Sequence, residues 1–230
     1  MSGSVNILLT THNRPKMFAR VCKMLNRQTY PIQNVIVLND GSDMPYPRLP
    51  NHDIFEENKL MHRGKEGWWE LVNFGLTRLK GIPAKYFIFL VDDFEFDEYF
   101  VGELIEKYES IPDNKKQALS YSWNPAWANR LNWAKRLPQR RRGFWLTQWL
   151  DMAFICEQDK FLKIIPAISP IDPHRWDNNP GLSSGVGMQI TARLRGHGNL
   201  YHVAESMVKH GTHDSVMHPE ERKINPLTAE

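Results

Sequence analysis

Two adjacent carboxylates, Asp92 and Asp93, follow the apolar run Tyr86-Phe87-Ile88-Phe89-Leu90-Val91, with Glu95 and Asp97 close behind. Neighbouring carboxylates repel one another and resist burial. A divalent cation relieves that repulsion. Hard oxygen donors suit Mg2+ or Mn2+, which keep waters and accept diphosphate oxygens. A solvated acidic turn that caps the following helix explains the same residues equally well, so this corner alone leaves both readings open. Two more polar corners follow apolar runs. Thr10-Thr11-His12-Asn13-Arg14 comes after residues 5–9, and Asn39-Asp40-Gly41-Ser42-Asp43 after residues 35–38.

These corners need a scaffold that brings them to one place. Residues 5–10 and 35–38 read as strands. Between them Met17, Val21, Met24 and Leu25 line one face of a helix that Tyr30-Pro31 closes. Strand–helix–strand alternation argues for a parallel sheet with right-handed crossovers. In such a sheet ligands bind beyond the carboxyl ends of the strands, which puts all three corners on one edge. The run 86–91 is apolar on both faces and reads as a central strand. Helices are expected over 66–79, where Trp69, Val72, Leu76 and Leu79 recur at helical spacing, over 100–110, and from near Val186. Short strands are expected near Ile54 and over 200–203. Residues 44–62 are Pro-rich and irregular, 152–156 are apolar, and 166–187 are rich in Pro and Gly. No internal repeat or low-complexity tract breaks the pattern.

The 230 residues suit one domain, or one domain with an appended lobe, and 41% hydrophobic with 24% charged residues excludes a disordered chain. There is no basic-then-apolar leader and no apolar run of membrane length, so the expectation is a soluble cytoplasmic protein. Cys22 and Cys156 read as buried free thiols without metal-ligand spacing. The net charge of +3 is unevenly spread. Residues 114–150 contain no Asp or Glu, yet carry eight Lys or Arg and five of the eight tryptophans. Such a segment suits an anionic partner.

The runs Val5-Asn6-Ile7-Leu8-Leu9-Thr10-Thr11-His12-Asn13-Arg14-Pro15 and Val35-Ile36-Val37-Leu38-Asn39-Asp40-Gly41-Ser42 resemble the start of GT-A glycosyltransferases of family 2. Arg63-Gly64 through Asn73-Phe74-Gly75-Leu76 is similar to the segment before the family's metal strand, and Phe89-Leu90-Val91-Asp92-Asp93 stands where the family has its Asp-x-Asp-type motif. The likeness covers residues 5–97 well and returns more weakly at Arg193-Leu194 and Glu205-Ser206-Met207-Val208-Lys209-His210. It implies an α/β GT-A fold, a mostly parallel twisted sheet flanked by helices. Residues 1–113 would form the nucleotide-sugar half and 114–230 the acceptor half. It also implies a nucleoside-diphosphate sugar donor contacted by Thr10, Thr11, Asn13, Arg14, Asp40, Arg63, Asp92 and Asp93. Mn2+ or Mg2+ would be held by Asp93, with His210 as a further ligand. Without the resemblance, His210, His213 and His218 form a poor zinc pattern.

One departure stands out. The family carries a Glu-Asp pair ahead of its late helix to supply the general base, and here that place reads Ser183-Ser184-Gly185-Val186-Gly187. Asp177 and Asp151 are the candidate bases; each could equally be a surface cap or an arginine's partner. In the basic segment, Arg140, Arg141, Arg142, Trp145 and Trp149 are the candidate acceptor contacts, since phosphate pairing plus base stacking requires those residue types. The favoured acceptor is a hydroxymethylated base in DNA, and the compact build is similar in style to phage-encoded family 2 enzymes that decorate modified bases in the host cytoplasm. A saccharide or lipid-linked acceptor is the alternative. So is a non-catalytic nucleic-acid or sugar-nucleotide binding protein on a degenerate transferase scaffold. A nucleotidyltransferase would need a Gly-rich loop after the first strand, and residues 10–14 contain no glycine.

Overall fold

The computed structural model describes residues 4–43, 46, 64–122, 143–150, 152–179 and 182–210, with the strand backbone of 54–58 and 134–136. The chain runs β1 (Val5–Thr11), α1 (Pro15–Leu25), β2 (Asn34–Asn39), β3 (Ile54–Asn58), α2 (Gly64–Gly81), β4 (Tyr86–Val91), β5 (Phe94–Glu95) and α3 (Phe100–Ser110). Next come β6 (Lys116–Ser120), β7 (Ala134–Arg136), β8 (Phe144–Thr147), β9 (Phe154–Glu157) and α4 (Gln158–Ile164). A 3-10 turn (Pro173–Trp176), α5 (Val186–His197), β10 (Asn199–Val203) and β11 (Lys209–His210) complete it.

Among the described residues nine strands form one sheet in the order β3-β2-β1-β4-β9-β6-β10-β8-β7. The first four are mutually parallel, as the strand–helix–strand pattern implies. β9 runs antiparallel between β4 and β6, and β8 antiparallel between β10 and β7. Among the described residues, seven strands therefore point one way and two the other. β4 sits between the parallel half and the mixed half, which is why both its faces are apolar. The apolar stretch near 152–156 is β9, and the basic segment contributes β6, β7 and β8.

Strand alternation divides the core between two faces. Val5, Ile7 and Leu9 pack with Phe18, Val21 and Leu25 of α1 and with Phe100, Leu104 and Tyr108 of α3. Leu8, Ile36 and Leu38 pack on the other face with Leu71, Val72, Leu76 and Leu79 of α2 and with Ile190 and Leu194 of α5. Gly75 lets α2 approach β1, because a Cβ there would lie 2.7 Å from Leu8 Cδ1. Cys22 and Cys156 belong to opposite faces and are both free, so no disulfide can join them. Burial pushes the Cys22 thiol up to about 12.

A buried amide cluster fastens the edge of the sheet away from the corners. Asn6 Nδ2 donates to the Ile82 carbonyl (2.7 Å) and to Gln158 Oε1 (2.9 Å), and Asn34 Nδ2 donates to Asn6 Oδ1 (2.8 Å). Gln158 Nε2 donates to the Leu79 carbonyl (2.9 Å), so the orphan carbonyls ending α2 find partners. With that end fixed, the carboxyl ends of the strands are free to carry the corners.

Candidate active site

The carboxyl ends of β1, β2 and β4 are level, with Thr11 opposite Asn39 and Thr10 opposite Val91. The first two corners are stitched together. The Asp40 N–H donates to the Thr11 carbonyl (3.1 Å). Asn13 takes the left-handed conformation (φ +48°) that asparagine tolerates better than most residues. Its Nδ2 donates to Asp43 Oδ2 (3.2 Å), its Oδ1 accepts the Asp43 N–H (2.9 Å), and its own N–H donates to Ser42 Oγ (2.9 Å). The Asn13 side chain thus builds the corner. Asn39 Oδ1 accepts the N–H and hydroxyl of Ser42, a side-chain turn closing the second corner.

The third corner meets the first through Asp92, which is 5% exposed. Thr11 Oγ1 donates to Asp92 Oδ2 (2.6 Å), and Arg14 Nη1 donates to Asp92 Oδ1 (3.3 Å). Burial is the largest influence and pushes Asp92 up to about 6, against the Thr11 hydroxyl and the Arg14 guanidinium, which favour the carboxylate. Asp93 Oδ2 lies 3.6 Å from Arg14 Nη1 and 3.9 Å from His210 Nδ1. The other two acids separate from this pair. Glu95 binds Arg20 (2.6 Å), and Asp97 Oδ1 accepts the Tyr99 N–H (3.0 Å) at the start of α3. A side-chain turn just ahead of α3 therefore accounts for Asp97, while Asp92 and Asp93 turn inward to Arg14.

His210 reaches this corner through the two-residue pairing of β11 with β5, in which His210 stands opposite Phe94. The rings of Phe94 and His210 are 4.6 Å apart, and Tyr121 packs edge-on against Phe94. No three His, Cys, Asp or Glu side chains converge among the described residues. The half-exposed His210 and the carboxylate of Asp93 would supply only part of a coordination shell. That donor set fits a cation such as Mn2+, which accepts carboxylate and imidazole together and completes its shell with diphosphate oxygens and water.

The remaining candidate residues fall in different places. Thr10 and Asp40 are buried at the ends of their strands. Arg63, Arg140, Arg141, Arg142 and Asp151 lie outside the described residues. Asp177 follows the 3-10 turn and its Oδ2 binds His174 Nδ1 at 3.0 Å, both side chains being exposed. Arg175 Nε ties that turn to the Ser183 carbonyl (3.1 Å), beside the place where the acid pair is missing. Trp145, on β8, stacks on the buried His202 with ring centroids 6.0 Å apart. Strand β8 lies four strands from β4, about 19 Å along the sheet at strand spacing. Trp149 is half-buried beside it. Lys116, one of the eight basic residues, is not surface charge: its ammonium is buried against the Glu109 and Ile111 carbonyls. Tyr46 was not expected. Its hydroxyl meets Thr11, Arg14 and Ser42, and no sequence pattern marks a tyrosine in a Pro-rich stretch.

The family model described as Glycosyl transferase family 2 matches residues 6–156, which include all three corners. The chain belongs to glycosyl transferase family 2. Solved structures add the fold of the remainder. The mannosyltransferase PcManGT from Pyrobaculum calidifontis, in complex with GDP-Man and Mn2+, superposes with a TM-score of 0.61 at 12% identity, covering 95% of this chain and 59% of that one. GalNAc-T7 with UDP, GalNAc and Mn2+ gives 0.62 at 14% identity, covering 90% and 44%. TarS residues 1–349 from S. aureus gives 0.60 at 12% identity, covering 91% and 60%. The chain thus spans about three fifths or less of the length of these three. Sequence comparison with curated proteins finds no match. Among the described residues of this family 2 member, no helix is long and apolar enough to cross a membrane.

Proposed function

We propose that this family 2 member transfers a sugar from a nucleoside diphosphate donor to a hydroxyl acceptor. The observation that carries the reading is the convergence of three strand ends on Asp92 and Asp93, with Arg14 and His210 beside them. The base and ribose would bind against the corners of Thr10, Thr11, Asn13, Arg14 and Asp40, with Arg63 beside the diphosphate. Asp93 and His210 would hold Mn2+, and Mg2+ is the alternative cation. Bound there, the cation neutralises charge on the departing diphosphate. Asp92, locked by Thr11 and Arg14, fixes the backbone from which Asp93 projects. The relatives solved with GDP-Man or UDP also carry Mn2+, which supports this assignment.

For the acceptor's proton, Asp177 near the Ser183-Ser184-Gly185 turn is the first candidate base, its Oδ2 3.0 Å from His174 Nδ1. Asp151 is the second candidate. An inverting transfer follows if either group works opposite the leaving diphosphate. Acceptor recognition would fall to the 114–150 segment, with Arg140, Arg141, Arg142, Trp145 and Trp149 as the residues that would contact an anionic polymer. A hydroxymethylated base in DNA is the favoured acceptor, and a phage enzyme acting in the host cytoplasm the favoured setting. A saccharide or lipid-linked acceptor is the alternative. The absence of an acid over 183–187 also favours a non-catalytic binding protein as a second reading.

Thermal melts with UDP- and GDP-sugars test the donor half. With Mn2+ present, at least one donor should raise Tm by several degrees, because a ligand that binds only the folded state stabilises it. No shift with any sugar nucleotide would end the transferase reading. A shift without turnover would favour the non-catalytic one.

A further inference from the structure

One hydroxyl meets both nucleotide corners. Tyr46 Oη accepts the Arg14 backbone N–H (3.0 Å), and lies 3.1 Å from Thr11 Oγ1 and 3.0 Å from Ser42 Oγ. Its ring is held independently, edge-on against the buried Phe18 with centroids 4.7 Å apart. The directions of these bonds follow from counting protons. Thr11 has one hydroxyl proton, and the Asp92 carboxylate takes it at 2.6 Å. Ser42 has one, and Asn39 Oδ1 takes it. Tyr46 also has one proton, so at any moment it donates to Thr11 Oγ1 or to Ser42 Oγ. With the proton on the Thr11 side a directed chain forms: Arg14 N–H to Tyr46, Tyr46 O–H to Thr11, Thr11 O–H to Asp92. Each member polarises the next toward the carboxylate. With its proton on the other side Tyr46 reaches Ser42, which also accepts the Asn13 N–H.

We infer that Tyr46 is a positioning residue for the donor, its hydroxyl locking the first corner, the second corner and Asp92 into one preorganised array. The inference rests on the transferase reading above and extends it to a residue outside the three corners. Tyr46 touches no reacting atom; it acts through Thr11, Arg14 and Ser42. Its removal should loosen donor binding more than it slows the chemical step.

The test is Tyr46→Phe in the full chain, which keeps the ring on Phe18 and deletes the hydroxyl. Donor KM is measured with UDP- and GDP-sugars in Mn2+, alongside the hydrogen-exchange rate of the Arg14 amide. Losing one hydrogen-bonded group should raise donor KM roughly 3- to 10-fold, with kcat changed less than about threefold and Arg14 exchange faster. Thr11→Val breaks the same chain, so the double variant should be no worse than Thr11→Val alone. Phe18→Leu, which disturbs only the ring, should lower Tm while leaving donor KM within about twofold. An active wild type with donor KM unchanged in Tyr46→Phe overturns the role of Tyr46 and leaves the transferase reading standing. So do fully multiplicative effects of Tyr46→Phe and Thr11→Val. A wild type that neither binds nor turns over any donor overturns both.

Discussion

His202 shows how one side chain's surroundings set a measurable property. It is 2% exposed, its Nδ1 meets the Val203 carbonyl, and Trp145 stacks on it. Burial holds it neutral and lowers its pKa from 6.5 to about 4. In the unfolded chain the same imidazole takes a proton near pH 6.5, so the unfolded state binds more protons between the two values. Its contribution to stability is thus complete above pH 6.5 and lost as pH falls toward 4, a difference of about 3 kcal/mol. Because the Asp92 carboxyl, with its raised pKa, acts in the opposite sense over this range, the test is the difference between two proteins. In denaturant melts from pH 7.5 to 4 the wild type should lose stability relative to His202→Phe, and equal slopes would contradict the burial argument. The acids at 92–97 were legible as a group but not individually. Sequence shows four carboxylates after a strand. Only packing reveals that Glu95 goes to Arg20, Asp97 to a helix start, and Asp92 and Asp93 to Arg14.

At the scale of elements, the parallel half was readable because short apolar strands and an amphipathic helix alternate with clear turn residues. β4 begins and ends where its apolar run does, and α3 covers the stretch 100–110 expected to be helical. The two-residue pairing of β5 with β11 was not readable, because its register depends on contacts over more than a hundred residues. That pairing carries His210 to Asp93. His210→Ala should raise the Mn2+ concentration needed for half-maximal donor binding about tenfold with Tm nearly unchanged, since the side chain is half exposed. An unchanged Mn2+ requirement would remove His210 from the site. The step from α5 to β10 makes a different demand. A Cβ on Gly198 would stand 1.9 Å from the Lys115 carbonyl, and backbone cannot swing aside as a side chain can. Gly198→Ala should therefore lower stability by about 2 kcal/mol or more, read as a lower denaturant midpoint. An unchanged midpoint would mean that the Lys115 strand moves freely.

Across the whole molecule, the sheet separates two kinds of surface. The three corners close one end of the parallel half, while Trp145 stands four strands from β4. Composition marked the second region as basic and aromatic, but Lys116 turned inward and Trp145 stacked on His202, which composition has no means of showing. If the segment binds DNA, reversing Arg140, Arg141 and Arg142 to Glu should weaken duplex binding at least tenfold and flatten its salt dependence, because each lost phosphate contact removes counterion release. Unchanged binding would take away the support for a DNA acceptor without touching the donor site. The donor site turns on Asp93 in this reading. The direct measurement is release of nucleoside diphosphate from UDP- and GDP-sugars in Mn2+ by the wild type and by Asp93→Ala, with Tm recorded for both. Turnover of at least one donor by the wild type, reduced a hundredfold or more in the variant at similar Tm, is the expected result. Equal turnover by the two proteins, or none by the wild type with any donor, would contradict it.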